Sequence, residues 1–106
     1  MPVVAVIAFD GISPFHLSVP CLVFGEDRTA LGLPRFDFRV CAAEAGAIRT
    51  EAGMTLTAPY GLEGSRGADI VIVPSWKDLD RPLPSALHEA LCRVHADGAL
   101  LVGLCL

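Results

Sequence analysis

Apolar residues run without interruption in Val3-Val4-Ala5-Val6-Ile7-Ala8-Phe9, in Ile70-Val71-Ile72-Val73, and in Ala99-Leu100-Leu101-Val102. Each run is short, and turn or polar residues bound it. A strand with one wet face alternates polar and apolar residues. Continuous runs like these instead predict strands buried on both faces, as in the middle of a parallel sheet. The last stretch, Gly98 to Leu106, carries no charge after Asp97 and ends in Gly103-Leu104-Cys105.

The intervening segments follow other patterns. Asp10-Gly11 turns the chain, and Ser13-Pro14 has the form of an N-cap followed by proline at the first helical position. A helix is predicted from Pro14 to Phe24, with Phe15, Val19, Leu22 and Val23 at helical spacings. Pro20 removes one backbone hydrogen bond and predicts a kink, and Gly25 is the expected residue just past the helix end. Glu26 to Pro34 reads as a loop or single turn. Phe36 to Cys41 alternates, which predicts a strand with a wetter face nearer a sheet edge. Ile48-Arg49-Thr50 and Met54 to Thr57, separated by Glu51-Ala52-Gly53, predict a small hairpin outside the main sheet. Pro59 to Gly67 is a connector with a helical turn around Leu62, and Lys77 to Pro84 is a surface loop. Ser85 is the expected cap of a helix from Ala86 to Ala96, with Leu87, Leu91 and Val94 on one face. Asp97-Gly98 ends it. Buried strands alternating with helices predict a parallel, doubly wound α/β sheet with helices on both faces and right-handed crossovers.

Composition sharpens this picture. The chain has 106 residues, enough for one domain (1–106), and 53% of them are apolar. A chain this short buries only about 60–70% of its extended surface. Part of the apolar surface is therefore assigned to a partner: a second half of the domain, another subunit, or both. The net charge of −4 argues against this segment gripping nucleic acid, which needs a basic face. No window approaches the roughly 18 apolar residues of a membrane span, and no signal peptide opens the chain. Cys21, Cys41, Cys92 and Cys105 are scattered, with no C-x-x-C pair and no histidine read at ligand spacing. Neither a metal site nor a disulfide framework is predicted, and the inferred setting is reduced and cytoplasmic. No glycine-rich phosphate loop follows a strand, so no nucleotide or other cofactor is expected.

In an open α/β sheet the carboxyl ends of the strands converge on one crevice. Asp10-Gly11, Pro74-Ser75-Trp76 and Cys105 follow three of the apolar runs, and His16 lies on the first turn of the first helix. Cys105 is the candidate nucleophile, because a glycine two residues before a nucleophile is half of an elbow pattern, whose other half would lie past Leu106. A thiol attacks only as thiolate and needs a nearby base, positive group or helix amino terminus. His16 is the candidate base or partner of that thiolate, and Asp10 a candidate pocket carboxylate. Gly11, Pro74, Ser75 and Trp76 are candidate ligand-binding residues, with the Ser75 and Trp76 N–H groups as oxyanion donors. Plainer roles stand beside these: a buried thiol for Cys105, a surface helix residue for His16, a turn residue for Asp10.

The ordered set Phe9-Asp10-Gly11-Ile12-Ser13-Pro14-Phe15-His16-Leu17 with Val23-Phe24-Gly25, then Asp69 to Trp76, then Gly98 to Cys105 resembles the DJ-1/PfpI superfamily. Within it, the chain is most similar to the amidase-like amino-terminal domains of AraC-type transcriptional regulators. The resemblance implies a flavodoxin-like fold, of which this chain is about the amino-terminal half. It places the family's reactive cysteine on Cys105. The acidic residue that enzymatic members carry on the first helix falls on His16, a departure that counts against peptidase-, glyoxalase- or hydratase-like chemistry. The glycine pair that often follows the proline falls on Ser75-Trp76.

Two functions follow as expectations. One is a sensing and dimerisation domain of an AraC-type regulator, which binds a small metabolite near Cys105 and meets DNA only through a carboxyl-terminal domain outside this chain. The other is a cysteine-dependent hydrolase or hydratase of the amidase or isonitrile-hydratase kind, with Cys105 attacking and Asp10 or His16 moving protons. The loss of the helix carboxylate favours the non-enzymatic reading. A chain of this length is also expected to assemble or aggregate, because its last strand would present a hydrophobic edge.

Overall fold

The computed structural model describes residues 1–76, 78 and 80–104. Its centre is a four-stranded parallel sheet in which β1 (Val3–Ala8) pairs with β2 (Asp37–Ala42) on one side and β5 (Ile70–Val73) on the other. β6 (Leu100–Gly103) pairs with β5, which gives the order β2-β1-β5-β6. The short strands β3 (Ile48–Arg49) and β4 (Thr55–Leu56) form a separate antiparallel hairpin. Two helices, α1 (Pro14–Gly25) and α2 (Ser85–Ala96), complete the framework, with 3₁₀ turns at Thr29–Leu31 and Leu62–Ser65.

β1 is the axis of the core. Its side chains alternate between two apolar layers: Val4, Val6 and Ala8 join Leu17 of α1 and Ile48 of the hairpin on one face. Ala5 and Ile7 join Leu87 and Val94 of α2 on the other. Helices therefore cover both faces, and the architecture is a doubly wound, flavodoxin-like α/β sheet. Burial of an uninterrupted apolar strand on both sides explains why Val3 to Ala8 lacks the alternation seen in β2.

Several local expectations are revised. The final strand is not buried on both faces: Leu100 is 60% and Leu101 41% exposed, because β6 is the last strand of the described sheet. Leu100 and Leu101 thus form the exposed hydrophobic edge expected of the last strand. β2 is the opposite edge, as its alternation implied. Ser13 caps α1 as expected, accepting the His16 N–H at 3.5 Å, and the helix continues through Pro20. Gly25, however, is the helix's last residue and not a left-handed one beyond it. A Cβ there would meet the Phe38 ring at 3.2 Å, so close packing rather than turn geometry suits glycine at this position. Ser85 is the first residue of α2 and not its cap, a place taken by Pro84 without a side-chain bond.

The face of α1 also differs from the one its spacing suggested. Leu17 and Pro20 are buried, whereas Phe15, Leu22 and Val23 are more than half exposed and Val19 nearly so. The helix carries no charged residue to mark a solvent side, so both stripes are apolar and periodicity cannot choose between them. α2 behaves more conventionally, burying Leu87 and Val94. Its end is a Schellman motif: Ala99 N–H donates to Val94 and Gly98 N–H to His95, with Gly98 at φ 95°. Among the described residues no helix is long and apolar enough to cross a membrane.

Candidate ligand site at the strand ends

Parallel pairing brings the carboxyl ends of all strands in the main sheet to one edge, with Ala8 beside Ala42 and Val73 beside Gly103. Beyond β1 the chain stays near the sheet. Phe9 is buried, and the Ile12 N–H donates back to the Phe9 carbonyl at 3.1 Å to close a turn. Gly11 occupies φ 87°, a left-handed conformation costly for other residues, and its N–H donates to the Arg49 carbonyl at 2.7 Å.

Asp10 sits at the centre of this turn. Its Oδ1 accepts the Arg49 N–H at 3.0 Å, and its own N–H donates to Glu44 Oε2 at 2.9 Å. With Glu51 N–H donating to the Ile12 carbonyl, these bonds fasten the β3–β4 hairpin to the end of β1. Asp10 and Gly11 then line a concavity of about 370 Å³ with Ala47, Arg49 and Thr50. The Asp10 carboxylate therefore has a positioning task whatever else it does.

Pro74 and Ser75 are buried directly after β5, and Trp76 is half-buried. The indole lies against Phe9 with ring centroids 4.8 Å apart, and its Nε1–H donates to the Arg81 carbonyl at 3.2 Å. The Arg81 guanidinium stands 5.6 Å from the same ring, within cation–π range. Trp76 thus joins the ends of β1 and β5. After β6, Leu104 N–H donates to the Val73 carbonyl at 3.0 Å and Leu104 packs on the core, so the chain is still held beside β5 one residue before Cys105. Cys105 itself lies outside the described residues.

His16 is half-buried on the first turn of α1, edge-on to Phe15, and its Nδ1 is shielded from solvent without a hydrogen-bond partner. Glu44 is in the same condition: Oε2 accepts from Asp10, while Oε1 is shielded and unpartnered. Shielded polar atoms without partners are uncommon in native folds and ask for an explanation. Sequence reasoning missed Glu44. It follows the carboxyl end of β2, a strand end as well placed as the other three, but its partner Asp10 lies 34 residues away and no local pattern joins them.

The remaining cysteines divide by environment. Cys21, Cys41 and Cys92 are free thiols. Burial pushes the Cys41 thiol up to about 11, with the Glu63 carboxylate adding to the shift and Arg39 opposing it; burial also raises Cys21. Both are therefore poor nucleophiles at neutral pH. Cys92 is exposed and, contrary to the spacing reading, does have a histidine one helical turn away, with His88 Nε2 3.8 Å from its sulfur. Among the described residues no group of three or more His, Cys, Asp or Glu side chains converges as a metal centre.

The fold as a whole matches known structures over nearly the whole chain. A cysteine-to-alanine mutant of a DJ-1 superfamily protein from Salmonella typhimurium superposes with a TM-score of 0.72 over 97% of this chain, at 21% identity. The fold is that of the DJ-1 superfamily. Drosophila melanogaster DJ-1beta matches at 0.70 over 96% of the chain with 14% identity. An AraC family transcriptional regulator from Pseudomonas putida matches at 0.68 over 97%, with 21% identity. The chain spans little more than half of each structure, 55%, 54% and 55% in turn. No protein-family model and no curated protein matches the sequence. The DJ-1-type fold accounts for the convergence of strand ends, and the residues gathered there are this chain's own.

Proposed function

We propose that this chain is the amino-terminal half of a ligand-sensing domain in an AraC-type transcriptional regulator, with a small polar metabolite bound at the strand ends near Cys105. The observations that carry this reading are two shielded, unpartnered atoms close to the strand ends, His16 Nδ1 on the first turn of α1 and Glu44 Oε1 beside Asp10; a third such atom, Arg39 Nε, lies within β2 and is not assigned to the site. A ligand with its own donors and acceptors would satisfy the first two. Pro74, Ser75 and Gly11 would form the wall of that site. The similarity to the Pseudomonas putida regulator supports the regulatory setting. The acidic charge of the segment agrees with DNA being met by a separate carboxyl-terminal domain.

Dimerisation would use the outer face of α1. Phe15, Val19, Leu22 and Val23 stand exposed on a helix with no charge, so two copies related by a two-fold axis meet without repulsion. The cytoplasm is the compartment this role requires.

The test is a thermal-shift screen of the full-length protein against small polar metabolites. A stabilising compound whose effect disappears in both His16→Ala and Glu44→Gln supports the sensor. Steady turnover of an amide or isonitrile, abolished by Cys105→Ala, would overturn it in favour of the cysteine-dependent hydrolase or hydratase. In that second reading Cys105 forms the covalent bond and the Ser75 and Trp76 N–H groups face the oxyanion.

A further inference from the structure

One reactive pair is left unused by the strand-end site. His88 and Cys92 stand at i and i+4 on α2, both exposed, with Nε2 and Sγ 3.8 Å apart. We propose that this pair is a bidentate site for a thiophilic divalent cation of the zinc class, independent of the crevice.

Distance selects the metal class. With metal–sulfur and metal–nitrogen bonds of about 2.3 and 2.0–2.1 Å, a tetrahedral angle puts sulfur and nitrogen about 3.6 Å apart. The same bonds at a right angle bring them to about 3.1 Å, and in a line to about 4.4 Å. The observed 3.8 Å lies nearest the tetrahedral case. In the absence of metal the two atoms share a long sulfur–imidazole hydrogen bond, which coordination of both atoms would replace.

The spacing is preorganised by the fold. Leu87 and Val94 are buried on the inner side of α2, and the Schellman motif closes its end, so the helix presents the two donors outward at a set separation. Binding involves no redox step. The Cys92 thiol releases its proton to solvent as the sulfur–metal bond forms, and the His88 lone pair on Nε2 makes the second bond while Nδ1 keeps its hydrogen. No third His, Cys, Asp or Glu joins the pair among the described residues, so water fills the other positions and the ion exchanges readily. His95 lies three residues past Cys92, not four, and joins no group with the pair, so it serves as an internal control.

Zinc protection of individual cysteines from iodoacetamide, followed by peptide mass spectrometry on the intact full-length chain, tests the site. At free zinc ten times the dissociation constant, Cys92 labelling slows about 11-fold, the mass-action ratio of total to free sites. His88→Ala removes that protection, while His95→Ala leaves it within about twofold, since only His88 closes the chelate. Cobalt gives an independent readout through a thiolate-to-metal absorption band that Cys92→Ser abolishes. All these positions are exposed, and an unchanged circular dichroism spectrum establishes that each variant is folded. Cys92 labelling indifferent to zinc, or protection that survives His88→Ala, overturns the proposal. Neither result bears on the strand-end ligand.

Discussion

Replacing Asp10 separates its positioning task from any chemistry. Asp10→Ala deletes the acceptor for the Arg49 N–H, a charge-assisted bond of 3.0 Å at an exposed position. Buried bonds to charged groups contribute about 1.5–3 kcal/mol, and solvent at this site reduces that to about 1 kcal/mol. Two main-chain bonds, Gly11 to Arg49 and Glu51 to Ile12, still hold the hairpin, so the loss stays near that figure. For a full-length domain of about twice this chain's length, it lowers the melting temperature by about 2–4 °C. Asp10→Asn keeps an Oδ1 acceptor in the same place and is expected to lose less than half as much. The assay is thermal unfolding of both variants by circular dichroism at one chain concentration, because self-association would otherwise move the midpoint. If Asn destabilises as much as Ala, or Ala costs nothing, the acceptor argument is wrong. A metabolite found in the screen is expected to bind Asp10→Asn within about twofold of the unmodified protein, since uniform binding is lost only where a contact is lost.

Other consequences are simpler to check. Gly64→Ala would place a Cβ 2.6 Å from Tyr60 Cβ and 2.9 Å from Cys41 Sγ, and is expected to destabilise by about 1–3 kcal/mol in urea titration. Cys41 ionises near 11 in the fold against an ordinary value near 9. Its contribution is therefore fully present below pH 9 and is lost as pH rises from 9 through 11, which urea midpoints across that range, compared with Cys41→Ala, would reveal. With α1 as the proposed dimer interface, Leu22→Glu introduces like charges into its outer face, and a full-length protein that is dimeric by light scattering is expected to become monomeric. An unchanged dimer mass would remove α1 from the interface.

The sequence made the framework legible where local chemistry and packing agree. Val3 to Ala8 could be recognised as a central strand because burial on both faces leaves no polar position to interrupt it. Ser13-Pro14 likewise marked the start of α1, because cap and proline are both local devices. Where the outcome depends on distant neighbours, the same reasoning fails. Leu100 and Leu101 have the composition of a central strand, yet β6 stands at the margin of the described sheet. On α1 the absence of charge left two equivalent stripes, and only the docking of Leu17 against β1 decided between them. The candidate site was legible as a set of strand ends, but Glu44 was not, since its partner Asp10 lies 34 residues earlier in the chain.

The hairpin at the end of β1 is fastened mainly through peptide groups: Gly11 to Arg49, Ile12 to Glu51, and the Arg49 N–H to Asp10. Any residue but proline supplies the N–H groups, and every residue supplies the carbonyl, so the attachment is largely indifferent to what the hairpin displays. Ala47 and Arg49, exposed on the adjoining concavity, can therefore drift through mutation while the joint survives, whereas Thr50 is buried with its hydroxyl donating to the Met54 carbonyl at 2.9 Å. A lineage carrying this domain could retune the rim of its pocket toward a new compound in single steps. None of those steps would have to pass through an unfolded ancestor.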